Sequence, residues 1–378
     1  YLDNSATTKP FDEVTQTVAQ IMSQQYFNAS ATYGAAIKSD KIYQSCRETL
    51  ARSLGCAPGE VFFTSGGTEG ANAPLRGALE AAHNKRHFII SATEHPCVYE
   101  TAKYLSQLGY SLDIAPVLPN GEVDPDKLLQ LVREDTALVS VIHVNNETGV
   151  INDIKAITDA VKAKNPGCVI HCDGVQAHFH ITTNVKALGV DIYTTSGHKI
   201  HGPKGIGVIY IKKGLPFKPQ MLGGGQQDDF RSGTIDLPAI AGYAKATELW
   251  RENGYQNKIC QYKEKLWEGL AGIGDIEAIG QDYSKTAPHI LNISFKGINS
   301  AVLQSALDKR GVIVGKGSAC SSRNTKVSRV LTQMKVPTEL AQGAIRFSIG
   351  ALNEIDEIEP LIDILQEEVT RLRKFKRK

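Results

Sequence analysis

No stretch of the chain approaches the ~20 consecutive apolar residues that a helix needs to cross a bilayer, which excludes a helical membrane span. Charge of one sign is lacking too. Against 42 Lys and Arg stand 40 Asp and Glu, and a formal net charge of +2 gives no global field to draw nucleic acid or an anionic membrane to the surface. Seven cysteines (46, 56, 97, 168, 172, 260 and 320) include no CxxC pair. An odd count without paired spacing, in a chain long enough to hold a core unaided, points to reduced thiols. The first residues carry no basic-then-apolar run, so the expected location is cytoplasmic. A glycine fingerprint of the GxGxxG type after the first strand, the mark of a nicotinamide site, is also missing.

What remains is ordinary for a soluble globular enzyme: 378 residues, 42% hydrophobic and 22% charged. Short β-rich runs alternate with amphipathic stretches: EVFFTS (60–65), HFIISATEH (87–95), ALVSVIHV (137–144), CVIHCD (168–173), DIYTTS (191–196) and IGVIYIK (206–212). Helical segments such as NAPLRGALEAA and CVYETAKYLSQLG lie between them. The pattern predicts a mainly parallel sheet covered on both faces. Beyond about residue 237 one long helical stretch, 237–273, leads into the strands HILNISF and GVIVG and a closing amphipathic helix over 353–374. The expected organisation is a large α/β domain over 12–250 and a smaller α+β domain made of 1–11 and 251–378. Six of the last eight residues are Lys or Arg, read as a solvated helix end with cations at its negative pole.

In open α/β sheets the ligand sits beyond the carboxyl ends of the strands, so polar residues there are the candidates. TSGGTEGAN (64–72) supplies Gly66, Gly67 and Thr68 at a strand-to-helix turn, suited equally to a phosphate or to a plain helix cap. EHP supplies His95, HVNNETG supplies Asn145 and Asn146, and HCDGVQA supplies Asp173 and Gln176. A carboxylate placed after an apolar strand is costly without a cationic or donor partner. SGHKIHGPKGIGVIYI (196–211) then offers Ser196, His198 and Lys199. One Asp, one His, amides and hydroxyls are too few ligands for a metal. Pyridoxal phosphate uses all of these parts: a lysine for its aldehyde, an anion site for its phosphate and an Asp against its ring nitrogen.

The stretches FTSGGTE, TEHP, NNETG, DGVQA, SGHKIHGPKGIG, GGGQ with RSGT, and GSACSS occur in an order that resembles the cysteine desulfurases of the class V aminotransferase family, the NifS-like fold type I pyridoxal phosphate enzymes. The resemblance runs from YLDNSATT at residue 1 to AIRFSIGALN at 344–353. It implies a large domain with a mainly parallel seven-stranded sheet between helices, and a smaller α+β domain. It implies Lys199 as the lysine that bonds the cofactor, Asp173 at the pyridinium nitrogen, Gln176 at the phenolic oxygen and His95 stacked on the ring and sharing proton transfer. Gly67, Thr68, Ser196 and His198 would hold the phosphate, with Thr234 reaching in from a second subunit, so that a homodimer is expected. Asn146 and Arg346 would hold the substrate carboxylate.

By the same resemblance Cys320, on a loop at about 315–327, is the thiol that takes sulfur from L-cysteine as a persulfide, releases L-alanine and passes the sulfur to an acceptor. That acceptor is an iron–sulfur cluster scaffold or an enzyme of tRNA or cofactor thiolation; neither a membrane nor direct nucleic acid binding is expected. Selenocysteine lyase, cysteine-sulfinate lyase, another lyase or aminotransferase of the class, and an assembly scaffold are the alternatives. Ala29, Tyr33, Gln227 and Ile235 depart from the family pattern at the substrate rim. Cys97, Cys168 and Cys172 read as packing residues.

Overall fold

The computed structural model describes every residue except His83, Gln281, 317–327 and 377–378. Seven strands form one sheet: β1 (Val61–Thr64), β2 (His87–Ser91), β3 (Ser111–Ala115), β4 (Thr136–Ile142), β5 (Val169–Asp173), β6 (Ile192–Ser196) and β7 (Gly207–Ile211). Their spatial order is β1-β7-β6-β5-β4-β2-β3. Pairing is parallel except that β7 runs antiparallel to both its neighbours. Strands β2, β4, β6 and β7 are buried at every position, because helices cover both faces and leave no wet side. The five strands that feed the site, β1, β2, β4, β5 and β6, therefore all end at one edge.

Helices enter where the chain supplies caps and amphipathic periodicity. After α1 (Asp12–Gln24) and α2 (Gly34–Leu54), α3 (Gly67–Ala81) begins directly off β1 and α4 (Pro96–Gln107) off β2. Pro96 sits at the first helical position of α4, where its missing N–H is no loss. A second sheet, antiparallel, joins β8 (Ile276–Ala278), β9 (Ile290–Phe295) and β10 (Ala344–Ser348) in the order β10-β9-β8. The helix Ile358–Lys376 packs on the helices Tyr255–Ala271 and Ser300–Asp308 beside this sheet. One hydrophobic cluster runs from Val139 and Val208 in the large sheet to Ile293 and Phe347 in the small one.

Three expectations need correction. The helical stretch over 237–273 is two helices, Leu237–Asn253 and Tyr255–Ala271, because Gly254 adopts a left-handed φ of 58° that stops the first. GVIVG forms no strand: Val314 and Gly315 make only single bridges, to Leu2 and to Arg346. The edge strand β3 was not foreseen, since Ser111 and Asp113 interrupt its apolar pattern on a half-exposed edge. Cys168 and Cys172 are fully buried, as a packing role requires, and all six described cysteines are free thiols.

Candidate active site

At the carboxyl edge of the large sheet the strand-end turns enclose a cavity of about 230 Å³. Its floor and walls come from different elements. Gly67 and Thr68 come from the start of α3, His95 from the end of the β2 turn, Asn146 from the loop after β4, and Asp173 and Gln176 from the end of β5. Ser196 ends β6, His198 and Lys199 follow it, and Arg346 lies on β10 of the small sheet. Ten of the twelve residues given a role by the resemblance thus share one cavity. Thr234 is exposed and does not line it. Cys320 lies outside the described residues.

Entry to α3 depends on glycine. Gly66 has a φ of 139°, a conformation side chains rarely adopt, and a Cβ on Gly67 would stand 2.9 Å from Val175. The bare backbone brings the helix N-terminus, with its unsatisfied N–H groups, to the cavity. Ser196 Oγ is buried there without a protein partner, as is Ser5 Oγ. The Ser196 hydroxyl, close to Gly66 at the helix N-terminus, suits an anionic group of several oxygens.

Asp173 is fully buried, and its carboxylate accepts a 3.0 Å hydrogen bond from Val175 N–H. Burial pushes its acid up to about 6, opposed by that hydrogen bond and by the Lys199 charge. Such a carboxylate is costly alone and fits a cationic ligand atom. Lys199 Nζ donates to the carbonyls of Ser5 at 2.6 Å and Ala6 at 2.8 Å. His95 caps α4: its Nδ1 accepts the Cys97 backbone N–H at 3.2 Å, so the ring proton sits on Nε2. Burial, with Lys199 and Arg329 nearby, lowers His95 to about 4, and the ring is neutral at physiological pH. Cys97 Sγ lies 3.0 Å from His95 Nδ1, and burial drives its thiol far above the ordinary range. Packing under the site, not nucleophilic attack, suits that thiol.

Arg346 is 2% exposed yet has only part of its fork committed: Nη1 donates to Asn146 O at 2.7 Å and Nη2 to Asp3 Oδ1 at 2.6 Å, while Nε has no partner. A guanidinium with an unsatisfied buried donor beside a cavity is suited to a carboxylate. Asn145 does not face the ligand space; its amide oxygen accepts from Glu147 N–H and Thr148 N–H and builds the loop that presents Asn146. Among the described residues no cluster of His, Cys, Asp or Glu could hold a metal. The sequence reading missed Asp3, whose carboxylate meets Arg346, and Ser5 and Ala6, whose backbone carbonyls leave no side-chain signature.

Residues 1–361 match the aminotransferase class-V family. The chain belongs to that family. Family membership implies dependence on pyridoxal phosphate, and the donor set just described fits it: an amine, a lone buried carboxylate and an anion cradle around one cavity. The chain is 38% identical to a cysteine desulfurase of Trichormus azollae over 99% of its own length and 93% of that protein's. It is 36% identical to the cysteine desulfurase IscS of Methanosarcina thermophila, covering 99% and 92%. A solved NifS-like protein superposes with a TM-score of 0.92 at 35% identity, over 98% of this chain and 99% of the other.

Proposed function

We propose that this member of the class V family is a cysteine desulfurase that converts L-cysteine to L-alanine and holds the sulfur as a persulfide on Cys320 for transfer to an acceptor. The observation that supports it most is the pairing of Lys199 with the wholly buried Asp173 on one cavity whose other walls offer an anion cradle and an arginine fork. Bound there, pyridoxal phosphate would supply an aldehyde for amines and a ring that accepts the electrons released when bonds at the substrate α-carbon break.

The residues divide the work. Thr68, the α3 N-terminus, Ser196 and His198 would hold the phosphate; Thr234 would complete that site from a second copy in a homodimer. Asp173 would hold positive charge on the ring nitrogen by offering its carboxylate in a medium too dry for water to compete. Gln176 Nε2 donates to Ser5 O at 2.9 Å and keeps a second amide hydrogen for a ring oxygen. Arg346 and Asn146 orient the cysteine carboxylate. Lys199 Nζ takes the proton from the substrate α-carbon and later returns one. His95, neutral with a proton on Nε2, can pass protons without adding charge. The Cys320 thiolate attacks the substrate sulfur: an S–S bond forms, the C–S bond breaks, and its electron pair leaves with the carbon skeleton that becomes alanine.

Incubation with cysteine, with alanine and sulfide measured, tests this. Wild type yields both. Cys320→Ala is expected to keep cofactor and bind cysteine while forming no protein persulfide, and equal sulfide release from both would refute the thiol's role. Borohydride reduction followed by peptide mapping should place the cofactor label on Lys199.

A further inference from the structure

Beneath the cavity His289 and Gln176 are paired in a way the proposed chemistry does not use. His289 Nε2 lies 3.0 Å from Gln176 Oε1, and both residues are buried, at 1% and 4% exposure. The amide can sit only one way round. Ser5 O accepts from Gln176 at 2.9 Å, and it can accept only; a flipped amide would bring two oxygens together there. Oε1 therefore faces His289, and His289 must donate. Its Nδ1 then carries the lone pair, and it is buried without a partner.

The surroundings keep the imidazole in that state. The His180 ring stacks on it at 3.6 Å and 18°, and His180 Nδ1 is likewise buried and unpartnered. Besides His180, the groups whose charge bears most on the ring are Lys263, Arg346 and Lys199, all cationic. A second proton on His289 would face no acceptor and add to three cationic side chains.

We propose that His289 is a positioning residue: Ser5 O sets which way round the Gln176 amide lies, and the His289 Nε2–H grips it at Oε1 and keeps its remaining N–H aimed into the cavity, where the phenolate oxygen of the bound ligand would lie. The inference rests on the pyridoxal reading of the site and assigns a residue that makes no contact with the ligand. An anion that loses a well-aimed donor holds a nearby proton more tightly.

The test titrates the visible absorption of the holoenzyme against pH in wild type, His289→Phe and His289→Gln. Phenylalanine keeps a ring for His180 and removes the donor; glutamine can place an N–H at the reach of Nε2. The midpoint is expected to rise by about one pH unit in the Phe variant and to stay within about 0.3 of wild type in the Gln variant, the scale of one hydrogen bond to a charged group. Equal midpoints in wild type and His289→Phe, or equal shifts in both variants, would overturn the proposal. Wild type that takes up no pyridoxal phosphate would instead sink the reading of the site. A second measurement is independent of the Phe variant's folding: in ¹⁵N-histidine-labelled wild type, the resonance missing from His289→Gln should report the Nε2–H tautomer from about pH 5.5 to 8. The Nδ1–H tautomer or an imidazolium in that range overturns the proposal whether or not cofactor binds.

Discussion

Asp173→Asn should make the cofactor-free protein more stable while weakening cofactor binding. In the folded chain burial raises the acid from 3.8 to about 6. The unfolded chain ionises freely, so the folded chain bears a penalty that is absent below about pH 3.8, grows as pH rises to about 6 and is complete above that. Two units at ~1.4 kcal/mol each give roughly 3 kcal/mol at pH 8. Asparagine keeps an oxygen for Val175 N–H but accepts more weakly than a carboxylate, by about 1 kcal/mol, leaving a net gain of about 2. Urea unfolding of the cofactor-free protein, followed by the fluorescence of buried Trp250, measures this at pH 4.5 and pH 8. The variant's advantage should be small at the lower pH and about 2 kcal/mol at the higher. A variant less stable at pH 8, or a gap independent of pH, would refute the view that the burial penalty on Asp173 is only partly offset by Val175 N–H and Lys199. With pyridoxal phosphate added the order should reverse, because breaking a buried ion pair costs about 3–5 kcal/mol, or roughly 10²–10⁴-fold in affinity.

Arg346→Lys replaces a fork that reaches both Asn146 O and Asp3 with a single point charge; steady-state kinetics should show KM for cysteine raised about 10- to 100-fold, with cofactor content unchanged. Since burial lowers His95 to about 4, its imidazole stays neutral down to that pH, and the rate profile should carry no limb near 6.5 from this residue. A limb at 6.5 that disappears in His95→Asn would contradict it. Gly174→Ala should cost about 3 kcal/mol or more in thermal unfolding, because the added Cβ would stand 2.0 Å from the buried ring of Tyr193, whose hydroxyl is fixed to His143 at 2.8 Å.

The site was legible where chemistry forces a residue type at a strand end. Asp173, Gln176, Ser196 and Lys199 follow apolar strands whose turns are unmistakable, and the parallel sheet follows from strands buried on both sides. Legibility fails where a contact is made by backbone. Ser5 and Ala6 serve Lys199 through carbonyls that any residue possesses. His289 opens an apolar strand and reads as core, since nothing local shows that Gln176, 113 residues earlier, lies against it. Gln227, noted as a departure, turns out to be structural: at a left-handed φ of 56° its side-chain amide bonds both N–H and C=O of Phe63, occupying the free edge of β1 as a strand would. Gly254 and Val314 show the remaining failure, in which period and propensity continue across a break that only tertiary partners decide.

The segment 3–8 explains why so many polar groups stay ordered in so dry a cavity. Asp3 bridges to Ser348 of the small sheet and pairs with Arg346, and Ser5 N–H donates to Ser348 Oγ at 2.9 Å. Two residues on, Thr7 Oγ1 meets His198 Nδ1 at 3.1 Å, and Thr8 donates through both N–H and Oγ1 to His198 O at 3.0 Å. One short stretch of chain thus ties the Arg346 fork on β10 to the turn after β6 that bears Lys199. The acceptors it gives Lys199 are neutral carbonyls. Leaving a carbonyl costs about 1 kcal/mol, whereas leaving a buried carboxylate costs several. On the proposed reading, a lysine that must bond a ligand, release it and then move a proton gains from these two carbonyl contacts, which cost less to leave than a carboxylate would.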